Sequence, residues 1–360
     1  MGEVALPLPA DENQPKGLGR QNLLEQEGAD PRGQIDPLGD SCGEVFENTR
    51  DNERRAGDRP TVHPWRRPAG AITGGIGGAG MRIVLYAALL VTGFALVSLA
   101  SFWLAVRPPR IGIPLVPKDY KLPAEEVAIA TADGLRLAAW LIARPGAPAI
   151  ILLHGYPAEK ADLLPIAAAL HPTFTTLLVD LRYFGRSEGR STTLGFRERG
   201  DLTRAVDFLA ERGFTRVGVF GLSLGGAVAV MTAAEDRRIR AVAAYAPFAD
   251  LKTLGHDLYS TLWVLKYPFV ELMSLWARLF LDMDVAELSP MAAARTLSTP
   301  VLLIHSRMDE QIPFRHAELL QQALANNPNA EFYLTARGHH GELPRDFEAR
   351  LARFFLTHLR

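Results

Sequence analysis

The sequence predicts an α/β fold: a mostly parallel central sheet with helices on both faces, preceded by one apolar segment long enough to cross a membrane. Three observations carry this expectation. From about residue 126 onward, short and nearly continuous apolar runs alternate with helical patterns, as strands buried on both faces do. Within that alternation, V-G-V-F-G-L-S-L-G-G (217–226) joins an apolar strand to a small-residue helix through a G-x-S-x-G turn. Ahead of it, residues 83–106 carry no charged side chain at all.

Composition narrows the function classes. The chain has 360 residues and a net charge of −1, so no bulk field draws it to nucleic acid. Hydrophobic residues make up 48% of it, enough for a core and an apolar segment besides. Its single cysteine, Cys42, excludes an intrachain disulfide.

Taken in order, residues 1–81 show neither a 2.0 nor a 3.6 period, and Gly70 to Gly80 is a glycine-rich run. They are expected to be a disordered tail. A chain that truly starts at Met81 is the alternative. The glycine run is no dinucleotide loop, since no strand precedes it. Residues 82–106 then read as a transmembrane helix, whose Ile83–Val106 stretch of roughly 36 Å suffices for the hydrocarbon layer. Trp103 sits near one interface. A cleaved signal sequence ending near Ser98 and Ala100 competes with this, but the apolar run continues past both. Arg66, Arg67 and Arg82 on one side nearly balance Arg107, Arg110, Lys118 and Lys121 on the other, so charge does not set an orientation.

Residues 107–125 are proline-punctuated and read as an extended tether. The folded domain is expected over 126–360. Glu126–Thr131 and Leu135–Ala143 form a hairpin across Ala132-Asp133-Gly134. Strands follow at Ala149–Leu153, Thr176–Asp180, Val217–Phe220, Ala241–Tyr245, Pro300–His305 and Glu331–Thr335, with helices between them and a last helix at Arg345–Leu359. The alternation breaks at about 248–291, which is too long for one crossover and rich in Leu, Trp, Tyr and Phe. It reads as an inserted helical cap over the carboxyl edge of the sheet.

An α/β sheet presents reactive groups beyond the carboxyl ends of its strands. Ser223 stands in the turn where small residues two before and two after keep its hydroxyl clear of the backbone. Asp309 follows the strand ending at His305, and His339 follows the last strand. A serine needs a base to become a nucleophile, and an imidazole oriented by a carboxylate supplies one. His339 is the expected base because it follows Gly338 directly after the strand; His340 is the alternative. Asp309 is the expected acid on its shorter arm; Glu310 is the alternative. The backbone N–H groups of Leu224 and Tyr156 are the expected oxyanion donors. His154 reads as structural, as does the turn Asp180 to Gly189, which lacks a phosphate-loop lysine and glycine spacing. The two histidines lack the carboxylate spacing of a zinc site, so no metal is expected.

At this point the chain resembles the α/β-hydrolase superfamily. L-L-H-G-Y, D-L-R-Y-F-G-R-S-E-G, G-L-S-L-G-G, L-L-I-H-S-R-M-D-E-Q-I-P and G-H-H match in order and spacing over residues 82–360. Within it, the chain is most similar to membrane-anchored hydrolases of the serine aminopeptidase-like and Bem46-like group. Two positions depart from that pattern: Ser306 stands where glycine is usual, and His340 where asparagine or a small residue is. The resemblance implies cofactor-free hydrolysis of an ester, thioester or amide. With the apolar cap and the anchor, the expectation is a single-pass membrane serine hydrolase acting on an acyl ester or thioester. A peptidase or amidase would instead need a polar group in the cap for the substrate terminus, for which Glu271, Asp282 and Asp284 are the candidates. A catalytically silent binding protein on the same fold is the remaining alternative.

Overall fold

The structure, a computed structural model, describes residues 76–360; the expectations for the N-terminal tail and Cys42 lie outside the described residues. The first described element is a long helix, α1 (Ile76–Val106). It begins earlier than the apolar segment, because residues 76–80, read from their glycines as a flexible run, continue the helix. Once a helix is nucleated, each added residue gains a hydrogen bond at little cost, even where propensity is poor.

The domain is an eight-stranded sheet in the order β1-β2-β4-β3-β5-β6-β7-β8. Its strands are β1 (Ala124–Ala130), β2 (Arg136–Ile142), β3 (Ala149–Leu153), β4 (Thr175–Val179), β5 (Val217–Leu222), β6 (Ile239–Tyr245), β7 (Val301–Ser306) and β8 (Ala330–Thr335). β1, β2 and β4 pair antiparallel, and every other neighbouring pair is parallel. The helices are α2 (Leu164–Leu170), α3 (Glu198–Glu211), α4 (Leu224–Glu235), α5 (Leu251–Leu258), α6 (Lys266–Leu281), α7 (Pro290–Ala294), α8 (Arg315–Ala323) and α9 (Phe347–His358).

Alternation along the central strands builds two cores. Ile151, Val219 and Leu303 face one side, packing with Leu202 of α3 and Val228 of α4. Ile150, Leu152, Phe220 and Leu302 face the other, packing with α2 and with Phe354 and Phe355 of α9. Strands buried on both faces explain why the sequence showed continuous apolar runs. β5 lies in the middle of the sheet, so its carboxyl end, and the serine after it, is held by rigid neighbours on both sides.

Between β6 and β7 the chain forms α5, a short 3-10 segment (Ser260–Leu265), α6 and α7. A third apolar cluster joins the end of α1 to this insertion: Phe102 and Val106 pack with Ala277, Met283, Leu288 and Met231 of α4. The stretch read as an extended tether is fastened to the domain along its length. Tyr183 Oη donates to Pro108 O at 2.6 Å, and Ile113 N–H donates to Glu159 Oε1 at 2.6 Å. Its apolar residues explain this: Leu122 is buried, and Ile113 and Leu115 are partly buried against the second core.

Candidate active site

Ser223 sits at φ 52°, ψ −112°, between the last residue of β5 and the first of α4. A side chain in that region is strained, at a cost of roughly 1–3 kcal/mol, and persists only where its surroundings over-determine it. Here they do. Ser223 N–H donates to Tyr245 O at 2.7 Å, and Ser223 O accepts from Ala227 N–H at 3.0 Å. The flanking glycines are steric necessities: a Cβ on Gly221 would lie 2.2 Å from the Gly225 carbonyl, and one on Gly225 would lie 2.5 Å from Leu153 O. These contacts are with backbone, which cannot swing aside. Ser223 is 7% exposed and lines a cleft of about 590 Å³ with Tyr156, Leu224, Phe248, Tyr259 and Ile312.

Asp309 lies in the loop after β7. Its Oδ1 accepts from the N–H groups of Gln311 (3.0 Å) and Ile312 (2.7 Å), while Oδ2 faces His340 Nδ1 at 2.7 Å. Burial opposes ionisation of this carboxyl, but the hydrogen bonds from His340 and Ile312 outweigh it and hold its pKa below the usual carboxylate range.

The histidine against Asp309 is therefore His340, which corrects the expectation of His339. The side chain of His340 is 8% exposed and that of His339 72%. His339 Nδ1 faces Glu310 Oε2 at 3.2 Å on the outer surface, and its N–H donates to Glu342 Oε2 at 3.0 Å. The cause is local. Gly338, at φ +119°, bends the chain as it leaves β8, and the turn closes with Glu342 N–H on His339 O. The first histidine is thereby turned outward and the second inward. Glu310, the alternative acid, pairs with the outward one.

Below Asp309 lies His305, fully buried, with Nε2 donating to Ile312 O at 2.9 Å and standing 3.8 Å from Asp309 Oδ2. Burial pushes its pKa down, so it sits beneath the acid as a neutral ring. Its one sign at the level of sequence is a histidine inside an otherwise apolar strand.

Tyr156 and Leu224 both line the Ser223 cleft. Leu224 opens α4, so its N–H has no carbonyl within its own helix to bond. Tyr156 belongs to the loop after β3, and His154 shapes that loop. The ring is fully buried, with Nδ1 donating to Gly155 O at 2.7 Å and Nε2 accepting from Leu181 N–H at 3.0 Å. The turn after β4 is likewise structural: Asp180 is buried and accepts from Lys160 N–H, Lys160 Nζ and Arg186 N–H. Among the described residues no group of three or more His, Cys, Asp or Glu side chains could hold a metal ion.

Comparison with known proteins gives a consistent picture. The sequence profile of the prolyl oligopeptidase family matches residues 188–360. The esterase Pf2001 of Pyrococcus furiosus superposes with a TM-score of 0.59 at 25% identity, covering 71% of this chain and all of the esterase. The chain belongs to the α/β-hydrolase superfamily. The α/β hydrolase domain-containing protein WAV2 of Arabidopsis thaliana is 26% identical over 71% of this chain and 86% of its own length. The thiohydrolase aneE of Aspergillus aculeatus is 32% identical, over 35% of this chain and 42% of its own.

This α/β-hydrolase, an enzyme of the serine-hydrolase type, has one cleft wall that sequence reasoning missed. Ser101, Leu104 and Ala105 of α1 line the Ser223 cleft, and Tyr156 Oη donates to Ala105 O at 3.0 Å. The signal was present, since Ser98, Phe102 and Val106 recur at helical spacing and form the buried face of α1. The cap carboxylates named for a peptide terminus do not line that cleft. Glu271 pairs with Lys252 at 2.5 Å, and Asp284 caps a 3-10 turn through Ala286 N–H.

Proposed function

We propose that this hydrolase cleaves a carboxylic ester or thioester through Ser223, His340 and Asp309, by way of an acyl-enzyme. The observation that carries this reading is the 2.7 Å contact between His340 and Asp309 in the loops beyond the carboxyl edge of the sheet that also presents Ser223. Asp309 fixes the Nδ1–H tautomer of His340, which leaves Nε2 as the basic nitrogen. Ser223 Oγ attacks the substrate carbonyl carbon while its proton passes to Nε2. The tetrahedral oxyanion is held by the N–H groups of Leu224 and Tyr156, each such donor contributing roughly 3–4 kcal/mol in a dry site. Collapse expels the alkoxide or thiolate, which takes the proton from His340. Water, deprotonated by the same imidazole, then releases the acid and restores the serine.

The apolar lining of the cleft supports an acyl substrate, and the names of Pf2001 and aneE support an ester or thioester bond. The helix from Gly78 to Val106, whose most apolar 18-residue stretch has mean hydropathy 2.4, supports a single-pass membrane protein. A peptidase reading draws on the prolyl oligopeptidase match, but no cap carboxylate lines the cleft, and the one carboxylate that does, Glu310, faces His339. A panel of p-nitrophenyl esters, acyl thioesters and aminoacyl anilides, measured for wild type and Ser223→Ala, separates these. The proposal expects ester or thioester turnover that Ser223→Ala abolishes. Turnover of anilides alone, or equal rates in the two proteins, would refute it.

A further inference from the structure

The cap of this hydrolase carries an exposed apolar rim that no described residue covers. Leu258, Trp263, Val264, Leu265, Leu279 and Phe280 are between 49% and 79% exposed. Trp263 is the most exposed of them, at 79%, and it is held at φ 51°, ψ −120°, a region a bulky side chain rarely adopts. A large aromatic strained outward into water is costly twice over, in backbone conformation and in exposed apolar area.

What lies beside this rim decides what covers it. Phe280 packs on Trp103 of α1, with ring centroids 5.3 Å apart, and Phe94 of α1 packs on Phe269 of α6 at 5.5 Å. The rim is thus continuous with the one described helix long and apolar enough to cross a membrane. The two ends of that helix differ. Residues 78–93 are exposed throughout, whereas from Phe94 onward one face is docked on the cap. The guanidinium of Arg107 stacks over Trp103, 4.3 Å from the ring centroid, a pairing suited to a headgroup layer.

The catalytic cleft opens at the same place. Leu104 of α1 and Leu258 of the cap both line it, and both are about 60% exposed, at 63% and 60%. They mark a mouth between α1 and the cap, on the apolar side of the molecule.

We infer that the cap rim lies in the lipid bilayer interface beside α1, and that the mouth between Leu104 and Leu258 admits the acyl chain of a membrane-borne ester or thioester directly from the bilayer to Ser223. This rests on the proposed ester or thioester hydrolysis and on α1 as a membrane span. An interfacial position covers the apolar rim, gives the strained Trp263 the amphipathic surroundings that tryptophan favours, and spares an acyl chain the passage through water.

Two measurements on the full chain, reconstituted in phosphatidylcholine vesicles, test the inference. In the first, Trp263→Cys in a Cys42→Ser background carries an environment-sensitive fluorophore, and spin-labelled lipids report its depth. Quenching at headgroup-to-upper-acyl depth is expected, with none for the same label at the exposed helix position Glu211. A label that stays water-like, or one shielded by association of two chains yet insensitive to the spin-labelled lipid, overturns the inference. In the second, the triple variant Trp263→Ser, Val264→Ser, Leu265→Ser is compared with wild type on a soluble short-chain ester and on a long-chain ester held in vesicles. Unchanged soluble turnover with a fall of about tenfold or more in kcat/KM on vesicles is expected. An equal rate on vesicles overturns the inference. A wild type that turns over neither substrate refutes the hydrolytic reading instead, and the depth measurement still decides where the rim lies.

Discussion

Two adjacent histidines differ in what they touch, and the proposed chemistry gives them different roles for that reason. His340 meets a buried, ionised Asp309, while His339 meets Glu310 at the surface. His340→Ala should therefore lower kcat by roughly four orders of magnitude or more, the scale on which catalytic-triad members act. His339→Ala should change kcat by only a few fold. A reversed pattern in steady-state kinetics would return the base to His339. Asp309 also contributes to stability with a definite sign. Its carboxyl ionises more readily folded than unfolded, so its contribution is present above the unfolded value, near about 3.9, and is lost as pH falls through the lower folded value. The gap in melting temperature between wild type and Asp309→Asn should accordingly be wide at neutral pH and narrow towards pH about 2. A gap that does not change with pH would show that the carboxylate is not what stabilises this loop. Away from the cleft, a Cβ on Gly185 would lie 2.4 Å from the Asp180 carboxylate, at a φ of +49°. Asp180 is held by Lys160 and cannot retreat, so Gly185→Ala should cost about 2–4 kcal/mol in denaturant unfolding. A cost below about 0.5 kcal/mol, the range of an ordinary surface substitution, would mean that the turn relaxes around the new methyl group.

The element that departs most from its sequence reading is α1. It is long and apolar enough to cross a membrane, and nothing in a hydropathy pattern distinguishes a helix that only anchors from one that also completes a domain. The distinction lies in its last turns, where Phe102 and Val106 are 3% and 1% exposed and Ala105 accepts a hydrogen bond from Tyr156. A fragment starting at Ile111 loses both buried side chains and one wall of the cleft. It should be less stable than a fragment starting near Ser98 by about 3–6 kcal/mol, taking about 1.5–3 kcal/mol for each buried side chain as an upper bound. Equal melting temperatures for the two fragments would show that the docked turns contribute nothing. The elbow between β5 and α4, by contrast, was legible in full. Its glycines are dictated by backbone contacts that recur wherever a strand turns this sharply into a helix, so local sequence sufficed.

Across the whole molecule, legibility followed the range of the interactions. The parallel sheet was readable because strands buried on both faces leave long apolar runs, and each of its strands stands within a few residues of its expected place. The order of the sheet, with β4 between β2 and β3, depends on contacts distant in sequence that no window contains. At the site, Ser223 and Asp309 followed from their positions after strands. The choice between His339 and His340 turned on a bend at Gly338 and on Glu342, three residues beyond the first histidine, and spacing alone had favoured the wrong one. The cap was visible as an interruption, but its carboxylates could be placed relative to the cleft only by the packing of α5 and α6 on α1. These readings converge on one claim, that a single activated serine at the carboxyl edge of this sheet performs the chemistry. A fluorophosphonate probe tests it most directly, because it reacts with an activated serine and is indifferent to the natural substrate. On the full chain, with peptide mapping, one adduct is expected, on Ser223, that Ser223→Ala abolishes and His340→Ala slows severely. An unlabelled wild type, or an adduct on any other serine, would contradict it.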